Sequence, residues 1–258
     1  MSIDTVRLEG IADRKATFVL VHGAWSGGVI WQHVAPALRK AGHEVYASSL
    51  TGLGERSHLL RRDIDLDCHI KDVLGLIEYE DLSDIVLVGH SYGGMVVTGV
   101  ADLVPDRIAS LVYLDAFVPE NGQALFDTIP PGMPRAAPVP GSEWLTAPLP
   151  QEAFGRASAE VLDFRKRKTS PHPTACFTQR LMLTGGIDRI QRKSYIYCND
   201  PQPTTFTPFY ERLKGKPGWN VYTLPCTHMA QLDLPHDVVA LLLQAIPARS
   251  TSRSNPNA

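Results

Sequence analysis

The chain has 258 residues, 44 % of them hydrophobic and 20 % charged, which suits one globular domain with a sizeable core and excludes a disordered or fibrous polymer. Its net charge of −2 argues against a polyanionic partner such as nucleic acid. No apolar run approaches the ~18 residues of a membrane span.

The N-terminal Met1-Ser-Ile-Asp-Thr-Val-Arg7 has neither the charged-then-apolar order nor the cleavage site of a secretory leader. Cys68, Cys176, Cys198 and Cys226 show no C-x-x-C spacing and no nearby His at ligand intervals. Reduced thiols, no metal and a cytoplasmic location are therefore expected.

In chain order, a strand is expected at Thr17–Val21, then an amphipathic helix from Ile30 to Lys40 that stops at Gly42. A strand at Glu44–Ala47, a polar loop and a helix from Asp67 to Glu80 follow. Asp84–Val88 leads through a glycine-rich turn into a helix ending at Leu103, and Arg107–Leu114 reads as another strand. These runs are apolar on both faces and separated by helices, the pattern of a buried parallel sheet.

After Val118 the rhythm breaks. Pro130, Pro131, Pro134, Pro138, Pro140, Pro148 and Pro150 rule out a central strand or an uninterrupted helix there. Residues 119–192 are expected to form a cap or lid insertion, or an extended surface loop, with partial helical patterning from Gln151 to Arg192. Within it, Arg165-Lys-Arg-Lys168 reads as a solvated helix face. The core resumes with Lys193–Cys198, a helix near Thr207–Leu213, the strand Trp219–Leu224 and a last helix from Pro235 to Ala245. The expected division is thus 1–118 plus 193–248 as core and 249–258 as a disordered tail.

Gly89-His90-Ser91-Tyr92-Gly93 ends the third strand candidate and fits G-x-S-x-G, the turn that presents a serine nucleophile between strand and helix. Alone it is a weak signal. A serine hydroxyl is scarcely ionised at neutral pH and needs an imidazole to take its proton, and that imidazole needs an orienting carboxylate. His228 lies just beyond the last strand and is the expected base; His33, His172 and His236 sit elsewhere. The acid is Asp115, at the end of Leu111–Asp115, or Asp200, in Asn199-Asp200-Pro201. Asp115 is preferred, because a carboxylate among apolar neighbours is costly unless paired. His22-Gly23-Ala24-Trp25 follows the first strand, so Ala24 and Tyr92 N–H are the expected oxyanion donors. Together these signals fall in one order along the chain: H-G loop, serine elbow, acid, histidine.

Trp25, Met133, Trp144 and Phe154 are candidate substrate contacts, with Leu145 and Phe177 beside them. From the insertion, these residues equally suit an internal core. Arg56 and His58 read as surface-loop residues, and His90 as structural.

Phe18–Trp25, Ala41-Gly-His-Glu-Val45, Leu87–Met95 and Tyr113-Leu-Asp-Ala-Phe-Val-Pro119 resemble the α/β-hydrolase superfamily. More narrowly they resemble the group of plant methyl-ester esterases, hydroxynitrile lyases and bacterial esterase relatives, and Thr51–His58 is similar to the bacterial branch. The resemblance covers about residues 16–118 and 193–245. It implies an α/β-hydrolase fold, a Ser–His–acid triad, no cofactor, and hydrolysis of a small-molecule ester, or of an amide or carbamate. A monomer or homodimer is expected, with no sequence pattern that selects between them. Plant members place the acid after the penultimate strand, which points to Asp200 and against the residue-level preference for Asp115. The lyases carry a lysine just after the histidine; here that residue is Met229.

Overall fold

The computed structural model describes residues 15–150, 153 and 157–248. The expected disordered tail, 249–258, and Phe154 lie outside the described residues. The first half runs β1 (Thr17–Val21), α1 (Val34–Lys40), β2 (Glu44–Tyr46), α2 (Leu66–Tyr79), β3 (Ile85–His90), α3 (Gly93–Leu103) and β4 (Ile108–Leu114). Next come β5 (Pro138–Val139), β6 (Ser142–Thr146), α4 (Ala159–Lys168), β7 (His172–Pro173) and α5 (Ala175–Thr178). The chain then forms β8 (Lys193–Cys198), α6 (Thr207–Leu213), β9 (Trp219–Leu224), α7 (Ala230–Asp233) and α8 (Pro235–Gln244).

Six strands form one parallel sheet in the order β2-β1-β3-β4-β8-β9. The central strands are apolar on both sides because both sides are covered. Val19, Val21, Leu87 and Tyr113 join a core with α2 and α3, while Phe18, Leu20, Val86, Val88 and Val112 join another with α1 and α8. This two-residue alternation splits each strand between two cores. The fold is that of an α/β-hydrolase.

Strand order reverses between β1 and β3. Ligands in open α/β sheets bind beyond the carboxyl ends of the strands at such a point. The H-G loop leaves β1 there and the serine elbow leaves β3 beside it. Asp115 follows β4, Asp200 follows β8 and His228 follows β9, so one edge of the sheet gathers all the candidates.

Residues 119–192 contain a three-stranded antiparallel sheet, β5-β6-β7, and the helices α4 and α5. The basic run departs from expectation. Lys166, Arg167 and Lys168 face solvent, but Arg165 is buried with Val161 and Phe164 and donates from Nη2 to the Leu149 carbonyl at 2.8 Å. The reason is periodicity: Val161, Phe164 and Arg165 stand at i, i+3 and i+4 and share the covered face. Among the described residues no helix is long and apolar enough to cross a membrane. All four cysteines are free thiols.

Candidate active site

Ser91 has φ of 55°, in the left-handed region that side chains rarely adopt. The turn is held by its neighbours: Ser91 N–H donates to Leu114 C=O, and Ser91 C=O accepts from Gly94 and Phe117 N–H. The motif glycines permit this crowding. A Cβ on Gly93 would lie 2.7 Å from the Val21 carbonyl oxygen and 2.8 Å from that of His22, and one on Gly89 would lie 2.7 Å from the Gly93 oxygen. Glycine is thus required for α3 to start directly above the β1–β3 junction.

His228 Nδ1 lies 2.6 Å from Asp115 Oδ2. Asp115 is 1 % exposed, and its other oxygen accepts the Cys198 N–H at 3.1 Å. The carboxylate accepts and the imidazole donates, so Nδ1 carries the proton and Nε2 its lone pair. Burial pushes the Asp115 carboxyl well above the usual carboxylate range, opposed by the Cys198 amide. Burial, reinforced by the Arg165 guanidinium, drives His228 down toward its neutral, proton-accepting form. Phe206 stacks flat on the ring of His228, with centroids 4.7 Å apart and planes 6° apart. On the backbone side, His90 Nε2–H donates to the His228 carbonyl at 2.9 Å.

Asp200 occupies a different place. It is exposed at the rim of the cavity, and its own N–H donates to Cys226 C=O. The structure therefore brings Asp115, and not Asp200, to His228. Leu114 pairs with Ile196 in register, so the residue after β4 reaches under the end of β8, whereas Asp200 stands two residues past that strand's end.

Ser91, Asp115, His228, Ala24 and Tyr92 all border one cavity of about 260 Å³. Its walls are apolar and aromatic: Trp25, Phe117, Leu125, Phe126, Ile129, Met133, Phe177 and Phe206. Of the candidate substrate contacts, Trp25, Met133 and Phe177 are in this lining. Trp144 is absent from it, and its ring instead meets the Arg62 guanidinium at 5.7 Å. Leu145, its neighbour in β6, is 9 % exposed and likewise stands apart from the lining. Sequence reasoning missed Phe117, Phe126 and Phe206, although Phe117 sits two residues past Asp115.

Buried histidines surround the site. His22 accepts Leu50 N–H on Nε2 and donates from Nδ1 to Gly23 C=O, and burial brings its pKa down to about 4. Behind Tyr92, His69, His172 and Cys176 place their donor atoms within 4.8 Å of one another.

The chain matches the alpha/beta hydrolase family over residues 18–241. It is 43 % identical over 238 residues to a carbendazim hydrolyzing esterase of Nocardioides sp. (strain SG-4G), a match spanning 88 % of this chain and 98 % of that protein. It is 28 % identical to methylesterase 4 of Arabidopsis thaliana, across 90 % of this chain and 97 % of that one. Among solved structures, an extracellular alpha/beta-hydrolase from a Paenibacillus species superposes with a TM-score of 0.77 at 28 % identity, covering 90 % of this chain and all of the other.

Proposed function

Because the chain belongs to the alpha/beta hydrolase family, we propose that it is a serine hydrolase cleaving small carboxylic esters with apolar or aromatic groups. The observation that carries this reading is the 2.6 Å contact of His228 with buried Asp115, beside Ser91 in an aromatic cavity.

Ser91 Oγ attacks the ester carbonyl carbon as His228 Nε2 takes its proton. Asp115 stabilises the resulting imidazolium through Nδ1–H. The oxyanion is received by the N–H groups of Ala24 and Tyr92. Collapse expels the alkoxide, which takes the proton from His228 and leaves as alcohol, with the acyl group on Ser91. Water then attacks the acyl-enzyme, His228 takes its proton and returns it to Ser91 Oγ, and the carboxylic acid departs. No step calls for a cofactor.

We read residues 119–192 as a cap over the cavity, since Leu125, Phe126, Ile129, Met133 and Phe177 supply one wall of it. Carbamates form a second substrate class, favoured by the Nocardioides relative named for hydrolysing carbendazim, itself a carbamate. A cytoplasmic location fits the four free thiols.

The test compares wild type and Ser91→Ala on paired aryl ester and aryl carbamate substrates, with fluorophosphonate labelling of the serine. Turnover by wild type with loss in the variant, and a label on Ser91, support the reading. An unlabelled, inactive wild type would refute it. Which substrate of the pair gives the higher kcat/KM decides between ester and carbamate.

A further inference from the structure

Trp25, next to the oxyanion donor Ala24, has φ of 63° without being glycine. Such a conformation persists only where its surroundings over-determine it. Here four contacts do so, all from residues 146–177. Trp25 N–H donates to His172 Nδ1 at 3.2 Å, and Trp25 C=O accepts from Ser170 N–H at 2.8 Å. The indole N–H donates to Thr146 C=O at 3.0 Å, and the ring leans on Phe177 with centroids 5.6 Å apart.

Tyr92, the other donor residue, is held in the same way. Its hydroxyl meets His69 Nδ1 at 2.9 Å, and His69 Nε2 lies 3.0 Å from Thr51 C=O. A carbonyl only accepts, so His69 is protonated on Nε2 and its Nδ1 accepts the phenol. A backbone N–H only donates, so His172 Nδ1 is the acceptor and its proton also sits on Nε2. The two rings meet edge-on at 5.4 Å, both fully buried. Burial holds both well toward the neutral form that has a lone pair to offer.

These tautomers argue against a metal ion among His69, His172 and Cys176. A neutral His172 has a single ring-nitrogen lone pair, so ligating a metal through either Nδ1 or Nε2 would take it from the bond that Trp25 N–H donates.

Resting on the serine-hydrolase reading above, we propose that His172 and His69 are positioning residues for the oxyanion hole. Each uses one imidazole lone pair to fix the residue that carries or flanks an oxyanion-binding amide. His172 belongs to the insertion, so the segment that shapes the substrate cavity also sets the geometry of transition-state binding.

The experiment measures kcat, KM and the affinity of an aryl trifluoromethyl ketone for wild type, His172→Leu, His172→Asn and Tyr92→Phe. Rates are normalised by fluorophosphonate titration of folded sites. His172→Leu removes the acceptor at similar volume and should lower kcat about 10- to 100-fold, the scale of a displaced or lost oxyanion donor. KM should hold, ketone affinity should fall in parallel with kcat, and Asn, whose Oδ1 replaces the Nδ1 acceptor, should restore most of both. Tyr92→Phe should repeat the pattern, and it carries the test if His172→Leu does not fold. Wild-type kcat per titrated site in His172→Leu and Tyr92→Phe, or a loss that Asn does not restore, overturns the proposal. A wild type that neither titrates nor hydrolyses esters overturns the hydrolase reading itself, and the brace falls with it.

Discussion

Phe206 lies flat against the imidazole of His228, centroids 4.7 Å apart and planes 6° apart. The contact excludes water from one face of the imidazole and fixes its ring plane. Burial is the main cause of the lowered His228 pKa, so removing the cover should raise it toward the ordinary histidine value of 6.5. In Phe206→Ala the acid limb of kcat/KM should move to higher pH, and kcat should fall by about tenfold as the ring loses its fixed orientation. A pH profile with an unmoved limb would contradict the shielding role.

The cavity of about 260 Å³ has Met133 in its wall. Met133→Trp should fill part of it, raising KM for aryl esters by about tenfold or more while leaving short aliphatic esters little affected. Equal loss on both substrate classes would mean that Met133 acts on the catalytic geometry and not on substrate fit.

Gly93 is a packing requirement of the elbow. In Gly93→Ala the new methyl would press on the Val21 and His22 carbonyl oxygens. We expect a loss of about 1–3 kcal/mol in urea unfolding, together with reduced turnover, because Ser91 and Tyr92 immediately precede it. Unchanged stability would mean α3 can shift freely off β1.

Acid should unfold the protein early. His22, His90 and His172 are buried and held neutral, with folded pKa values below the unfolded one; for His22 the value drops from 6.5 to about 4. Between those values the unfolded chain binds more protons, so the stabilisation is complete above pH 6.5 and is lost as pH falls toward 4. Each such group costs about 1.4 kcal/mol per pH unit across its window. Asp115, whose carboxyl is raised by burial, works in the opposite sense but is a single group. Unfolding free energies at pH 7.5, 6.5, 5.5 and 5.0 should fall steeply over the lower half of the series. A flat series would contradict the neutral-histidine account.

The sheet was legible because its central strands, β1, β3, β4 and β8, are buried on both faces along almost their whole length. β1, β8, β9 and α6 match their expected bounds residue for residue, β2 and β4 differ by one residue at one end, and β3 starts one residue later and ends two residues further on. The places of Ser91 and His228 were legible because a strained turn needs glycines and because the proposed base was expected just beyond the last strand. The acid was open: Asp115 and Asp200 both end neighbouring strands, and only three-dimensional register separates them. The insertion was least legible. Its prolines report what it cannot be, and they do not fix which aromatics face the cavity. Trp144 thus turned to Arg62 while Phe126 and Phe177 turned inward. Arg165 was misplaced because its charged neighbours mask the i, i+3, i+4 face it shares with Val161 and Phe164. The histidine braces carry no spacing signature, since His69 and His172 meet only through folding.

The central claim is that Asp115 orients His228 for proton transfer from Ser91. Its most direct test is kcat/KM for Asp115→Asn and Asp200→Asn on one short-chain aryl ester, normalised to titrated sites. The account predicts a fall of about 10⁴ for Asp115→Asn, the scale for amidating a triad acid, with Asp200→Asn close to wild type. A collapse in Asp200→Asn with activity retained in Asp115→Asn would contradict it.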